Sequence, residues 1–332
     1  MEPLVSICTT TYCHEKYLNQ TLQGFLDQKT DFPFEILIHD DASPDGTEGI
    51  IREWASRYPE IILPLYETVN QYSQNIPINE TFNFPRARGK YIALCEGDDY
   101  WTDPKKLQSQ VDYLEGHPEC TFCFTNGLIQ DENGERPDRV FVPYYPEEAA
   151  YLPKEGGVCD LEAMARLTFL PTASFLFRRE TLENLPNSFR DHMCQYGDLR
   201  MKLFLTAAGS AYYLNRCTCV YRENVPTSAF QVWKKEKREQ VFTRSQTAVR
   251  LCDDVEEFSA GAGHEGLESL RKYHFTVMAH NAPDLKTLFT GRLGKAFRRL
   301  PLKEQTRCAL RLMLPPSLAE GLAGLGRKER TK

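Results

Sequence analysis

The sequence predicts an α/β fold: a mainly parallel sheet with flanking helices, followed by a helical C-terminal extension. Three observations carry that expectation. The first hundred residues alternate β-branched apolar runs with stretches of helical periodicity, the pattern of a sheet covered on both faces. Polar clusters recur where successive apolar runs end, at Thr11-Tyr12, Asp40-Asp41 and Asp98-Asp99. From Thr227 onward the pattern is helical almost throughout.

Leu4 to Thr10 is rich in β-branched residues and reads as a strand. Tyr17, Leu18, Thr21, Leu22, Phe25 and Leu26 then recur at helical spacing. Phe34 to His39 is a second strand, followed by turn chemistry at Ser43 to Thr47 and a helix to about Tyr58. Ile61 to Leu65 is a strand interrupted by Pro64, which suits a sheet edge. Tyr91 to Cys95 is a buried strand that ends in Glu96-Gly97-Asp98-Asp99. Lys105 to Leu114 reads as a helix, with Asp103 as cap and Pro104 at its first position.

Cys120 to Gly127, Thr172 to Arg178 and Ala211 to Tyr221 read as strands, and Asp160 to Leu167 as a helix. The Pro- and Tyr-rich stretch from Val142 to Gly157 is expected as a surface loop over the site. Asp198 opens a helix to about Ala207 with Leu199, Leu203 and Phe204 on its inner face. Four further helices are expected over Phe230–Phe258, Gly266–His280, Leu285–Leu300 and Lys303–Leu314.

At 332 residues the chain can bury a full core, and its 41% hydrophobic and 26% charged content is that of a water-soluble globular protein. A net charge of −6 argues against nucleic acid as the main partner. No apolar run reaches the roughly 18–20 residues of a membrane span, and no leader precedes the first strand, so a cytoplasmic protein is expected. The 11 cysteines lie mostly inside apolar runs and read as reduced, buried thiols. The charge is unevenly spread: from Lys286 onward twelve bases face three acids, +9, which leaves −15 on the remainder. Such a tail suits peripheral contact with an anionic membrane face, or a solvated helical bundle.

Strand tips line one edge of an open α/β sheet, so the three polar clusters share a crevice. Adjacent acids repel unless a cation, a donor or water sits with them, so Asp98 and Asp99 are candidates for a divalent metal and the diphosphate it carries. Neither a P-loop nor a Gly-rich dinucleotide fingerprint follows the first strand.

Four blocks in order resemble the family-2 glycosyltransferases, inverting nucleotide-sugar-dependent enzymes of GT-A fold. They are Val5 to Glu15, Ile38 to Thr47, Arg88 to Trp101, and Tyr196 to Arg200. The resemblance implies a GT-A catalytic domain over 1–225, with a nucleotide-sugar half to about 101 and an acceptor half beyond it, and a helical extension over 226–332. It implies that Tyr12 stacks on the base with Thr11 and Glu15 beside it, and that Asp41 accepts from base or ribose. Asp98 would contact ribose or a metal-bound water, and Asp99 would ligate Mg²⁺ or Mn²⁺. Asp198 would be the catalytic base, with Asp191 and His192 as alternatives. Trp101 would pack beneath the metal loop or floor the acceptor site, and Glu96 is the acid least expected to touch metal. Glu80 stands near the usual phosphate-side Arg, leaving Arg86 or Arg88 for that task. The expected reaction moves a sugar from a nucleoside diphosphate, UDP first with dTDP or GDP open, to a glycan or lipid-linked glycan acceptor in bacterial surface polysaccharide synthesis. A nucleotidyltransferase or sugar-nucleotide pyrophosphorylase, and a non-catalytic nucleotide-sugar-binding scaffold, are the alternatives.

Overall fold

The computed structural model describes residues 2–190 and 196–313. Its first half is β1 (Val5–Thr11), α1 (Leu18–Leu26), β2 (Phe34–Asp40), α2 (Thr47–Arg57), β3 (Ile62–Tyr66), β4 (Tyr91–Leu94), β5 (Tyr100–Trp101) and α3 (Lys106–Gly116). The second half continues through β6 (Cys120–Asp131), β7 (Arg139–Val140), β8 (Gly157–Cys159), α4 (Leu161–Arg166), β9 (Leu176–Arg178), α5 (Thr181–Asn184), α6 (Gly197–Ala207) and β10 (Ser210–Glu223). Helices follow: α7 (Ala229–Trp233), α8 (Arg238–Phe258), α9 (His264–Asn281), α10 (Leu285–Phe289), α11 (Gly291–Phe297) and α12 (Leu302–Met313).

One sheet runs in the order β3-β2-β1-β4-β9-β6-β10-β5, with β7 on β6 and β8 on β10. Strands β3, β2, β1 and β4 are parallel, and β3 takes the expected edge. Strand β9 enters antiparallel between β4 and β6, so the sheet is mixed. Residues of alternating parity divide between its faces: Val5, Ile7, Ile36, Ile38 and Ala93 pack with α1, α2 and α3, and Cys8, Leu37, Ile92 and Leu94 pack with the phenylalanines of β6 and β9. Gly24 lets α1 close on β5, because a Cβ there would stand 2.7 Å from the Trp101 carbonyl oxygen.

Several expectations change. Thr172–Ser174 is a 3₁₀ turn and only Leu176–Arg178 pairs as a strand, because the preceding backbone bends to place Thr172 beside Glu96. Asp103 caps a turn before α3 through Lys105 N–H at 2.9 Å; the helix itself begins at Lys106. The 142–157 stretch is anchored rather than free. Phe141 and Val142 are buried, and the buried Glu148 carboxylate accepts the backbone N–H groups of Tyr144 and Thr168 at 3.1 and 2.7 Å.

The C-terminal helices share the main core, since Leu251, Cys252 and Val255 of α8 and Leu267 of α9 belong to it. A separate cluster of Val249, Met278, Leu288, Leu293, Phe297 and Cys308 joins α8 to α12. No helix among the described residues is long and apolar enough to cross a membrane.

Two stability predictions arise here. Glu35 on β2 is 1% exposed and accepts from Ser6 Oγ at 2.7 Å, Arg88 N at 2.9 Å and Arg88 Nε at 2.8 Å. Glu35→Ala strands these donors and should lower unfolding free energy by about 2–3 kcal/mol, measured by urea denaturation. His274 is buried in α9, and burial, then the charge of Arg244, lowers its pKa from 6.5 to about 4. Folding therefore excludes its proton. The unfolded chain binds that proton below about pH 6.5, so stability is full above that pH and falls as pH drops toward 4. Urea midpoints between pH 7 and 5 should decline less steeply in His274→Phe than in the parent.

Candidate active site

Three strand tips meet as the topology requires. Thr11 Oγ1, at the end of β1, donates to His39 O at 3.2 Å and to Asp40 Oδ1 at 3.1 Å. Asp41 N–H donates to Thr11 O at 3.0 Å, and Gly97 N–H to Thr10 O at 3.0 Å. Gly97 is required by close approach, since a Cβ would lie 2.6 Å from Thr11 Cγ2 and 2.7 Å from His14 Nδ1. His14 Nε2 in turn stands 3.8 Å from Asp98 Oδ2.

The side chains at these tips have separate tasks. Tyr12, directly after β1, is 38% exposed. The Glu15 carboxylate accepts Gly46 N–H at 2.9 Å, where it meets the start of α2. Asp40 is tied into a local turn by Ser43 Oγ at 2.5 Å and Ser43 N at 3.3 Å. Asp41 is 3% exposed; its two oxygens accept Gln71 N–H at 2.7 Å and Tyr72 N–H at 3.0 Å. Burial would raise its pKa, but His39 and those two N–H groups outweigh it and hold the carboxyl below its ordinary value. Asp41 thus orders the 70–72 turn.

The acidic turn divides differently from the expectation. Asp99 is 2% exposed and its Oδ1 accepts Arg222 N–H at 2.9 Å. Burial, then the charges of Asp98 and Glu96, push its pKa well up. Asp99 therefore braces β10 through that oxygen. Arg222 donates to the Asp98 carbonyl and stacks over Tyr17 and Tyr100, closing the back of the turn. Glu96 is only partly buried, and Thr172 Oγ1 donates to its Oε2 at 2.7 Å. Burial raises Glu96 to about 7, with the charges of Asp98 and Asp198 adding to it. Glu96, Asp98 and Asp198 therefore share one electrostatic neighbourhood. Trp101 lies beneath the turn, 3% exposed, with Nε1 donating to Ala173 O at 2.7 Å, and the buried Lys106 ammonium sits 4.2 Å from its ring centroid.

Asp198 lies within the first turn of α6, partly buried, one residue beyond the helix start at Gly197. Burial raises its pKa, opposed by Lys202 one turn along. Lys202 is itself buried and donates to Leu167 O. Two further arginines fix this region. Arg200 pairs with Glu80, and Arg244 of α8 donates to Tyr196 Oη at 2.6 Å while bonding Glu236 at 2.8 Å. The alternatives Asp191 and His192 lie outside the described residues.

Neither arginine expected on the phosphate side faces the crevice. Arg86 donates to Leu63 O and Ile38 O, both at 3.0 Å, and Arg88 pairs with Glu35, because these main-chain and carboxylate acceptors lie under the sheet edge. Sequence reading missed the hydrogen bond between Glu96 and Thr172, which joins residues 76 positions apart.

Among the described residues no group of three or more His, Cys, Asp or Glu is arranged to hold a metal. Glu96 and Asp98, whose charge acts on Glu96, are oxygen donors of the kind a hard divalent cation takes together with phosphate and water.

The model of glycosyl transferase family 2 matches residues 6–185. An uncharacterized protein of Mycobacterium tuberculosis is 39% identical over 178 residues, 53% of this chain and 47% of the relative, so this chain spans about half of that relative's length. TuaG of Bacillus subtilis, provisionally named a teichuronic acid biosynthesis glycosyltransferase, is 25% identical across 71% of this chain and 86% of its own. Two solved structures share the fold. S. aureus TarS 1-349 in complex with UDP-GlcNAc has a TM-score of 0.57 at 16% identity, covering 92% of this chain and 78% of that one. The mannosyltransferase PcManGT of Pyrobaculum calidifontis in complex with GDP-Man and Mn2+ has a TM-score of 0.52 at 17% identity, covering 92% and 83%.

Proposed function

The chain belongs to glycosyl transferase family 2, and from that premise we propose that it is an inverting, metal-dependent transferase that moves a sugar from a nucleoside diphosphate to an acceptor hydroxyl. The observation that carries this reading is the meeting of the β1, β2 and β4 tips, where Thr11 O accepts Asp41 N–H and Thr10 O accepts Gly97 N–H at 3.0 Å each, with the charge of Asp198 acting on Glu96 beside them. We assign residues 1–225 to catalysis and 226–332 to a helical extension. UDP is the first candidate carrier, supported by the bound donor of TarS; GDP follows from PcManGT. The relationship to TuaG supports a glycan acceptor in surface polysaccharide synthesis.

Tyr12 offers its ring face to the base. Thr11 and Asp41 act from behind, holding the β1 and β2 tips and the 70–72 turn against the nucleotide. Magnesium or manganese would be held by Asp98 with Glu96, and when bound would supply positive charge against the departing diphosphate. Asp99 supports that pair from beneath. Asp198 takes the proton of the acceptor hydroxyl as its oxygen attacks the anomeric carbon, and the nucleoside diphosphate leaves with the bonding pair of the broken C–O bond. A single displacement inverts the anomeric centre; retention usually requires a covalent intermediate on the enzyme. Burial places the Asp198 pKa above the ordinary carboxylate value, closer to working pH, which suits a base.

Incubation with UDP-, GDP- and dTDP-sugars and Mn²⁺ tests the reading. Release of the matching nucleoside diphosphate is expected, and its loss in EDTA. Formation of nucleoside triphosphate and sugar 1-phosphate when pyrophosphate is added would mark a nucleotidyltransferase, and binding without turnover would mark a scaffold.

A further inference from the structure

Helix α12 is set on the body with its apolar stripe outward. Leu302, Leu310 and Met313 are 78%, 39% and 68% exposed. At the α-helical rotation per residue the three fall within about 80° of one another. The opposite face is clasped and cannot roll inward without loss. Cys308 is buried there, His280 Nε2 stands 2.9 Å from Glu304 Oε2, Arg311 donates to His280 O at 3.2 Å and Gln305 to Leu300 O at 2.8 Å. Polar contacts, with Cys308 and Leu312 in the adjoining cluster, fix this helix, while Leu302, Leu310 and Met313 are left to solvent. An exposed apolar stripe held in this way marks a surface that meets something.

The charge of the region says what. Residues 285–313 hold eight bases against one acid, although the whole chain is −6. Lys286, Lys295, Arg298, Arg299 and Lys303 are exposed. The sequence after Met313 carries four bases and two acids, so its charge does not offset that of 285–313. An anionic bilayer complements both features at once: the boundary of its headgroups accepts the apolar side chains, and its surface potential attracts the bases.

We propose that α12 docks on an anionic lipid surface, burying Leu302, Leu310 and Met313 at the headgroup–acyl boundary while the bases of 285–313 supply the electrostatic attraction. This rests on α12 and its charge alone, independently of the chemistry assigned to the cleft. One consequence is that catalysis would proceed beside the membrane, where a lipid-linked acceptor is presented.

The test is co-sedimentation of the full chain with phosphatidylcholine vesicles, with and without about 30% phosphatidylglycerol. Binding is expected to the anionic vesicles only, weakening as salt rises. The triple substitution Leu302→Glu, Leu310→Glu, Met313→Glu should lower vesicle affinity by at least about tenfold. A set of Lys295→Glu, Arg299→Glu and Lys303→Glu should do the same through charge, each reversal costing about fivefold or more. All six positions are exposed, and an unchanged melting temperature verifies folding; serine at the three apolar positions serves if glutamate disturbs it. Failure of the parent chain to sediment with anionic vesicles overturns the proposal, as does parent-like binding by the folded apolar-stripe variant.

Discussion

Asp198→Asn should lower kcat by about 100- to 10,000-fold, the usual contribution of a positioned general base, with little change in donor affinity. Asparagine keeps the shape of the side chain and its place in the first turn of α6, and removes only the capacity to take a proton. The fixed surroundings support a clean result: Lys202 stays bonded to Leu167 O, Arg200 to Glu80, and Arg244 to Tyr196. A loss of stability comparable to the loss of rate would point to a structural acid instead, so melting temperature is read alongside kcat. The pH profile of the parent adds a second check. Burial raises the Asp198 pKa, and the base works deprotonated. Activity should therefore fall, as pH drops, through a pKa above the ordinary carboxylate value.

Asp98→Asn is the second large effect. A divalent ion at the diphosphate is worth several kcal/mol of transition-state stabilisation, and removing about 4 kcal/mol costs roughly a thousandfold in rate. The companion Asp99→Asn should behave differently. Its Oδ1 accepts from Arg222 N–H beneath the turn, so the principal loss is expected in stability, with the metal requirement retained. Titrating Mn²⁺ against turnover in both variants distinguishes the two acids. A raised Mn²⁺ requirement in Asp99→Asn and a parent-like one in Asp98→Asn would reverse the assignment made here.

The pair illustrates how far sequence alone reaches. Strands of the first hundred residues were legible because apolar alternation and β-branching act locally, and the convergence of their tips follows from parallel topology. Asp198 at the head of α6 was legible from four blocks read together. What escaped was set by long-range contact. The hold on Asp99 comes from Arg222, 123 positions away in the chain. Arg86 and Arg88 looked available as cations until the carbonyls under the sheet edge and the buried Glu35 claimed them. Thr172 reads as strand by propensity, but its hydroxyl is needed at Glu96, and the backbone bends to deliver it. The 142–157 stretch has loop composition, and Glu148 anchors it by accepting backbone N–H groups that no periodicity reveals.

The central claim is that this crevice holds a nucleoside diphosphate together with a divalent ion. Calorimetric titration of UDP, GDP and dTDP into the protein, with Mn²⁺ and then with EDTA, addresses it without knowledge of the sugar or the acceptor. The account predicts saturable binding of at least one of the three in Mn²⁺, a large weakening in EDTA, and the same weakening in Asp98→Asn with Mn²⁺ present. A folded protein that binds none of them, or binds equally well in EDTA, would contradict it.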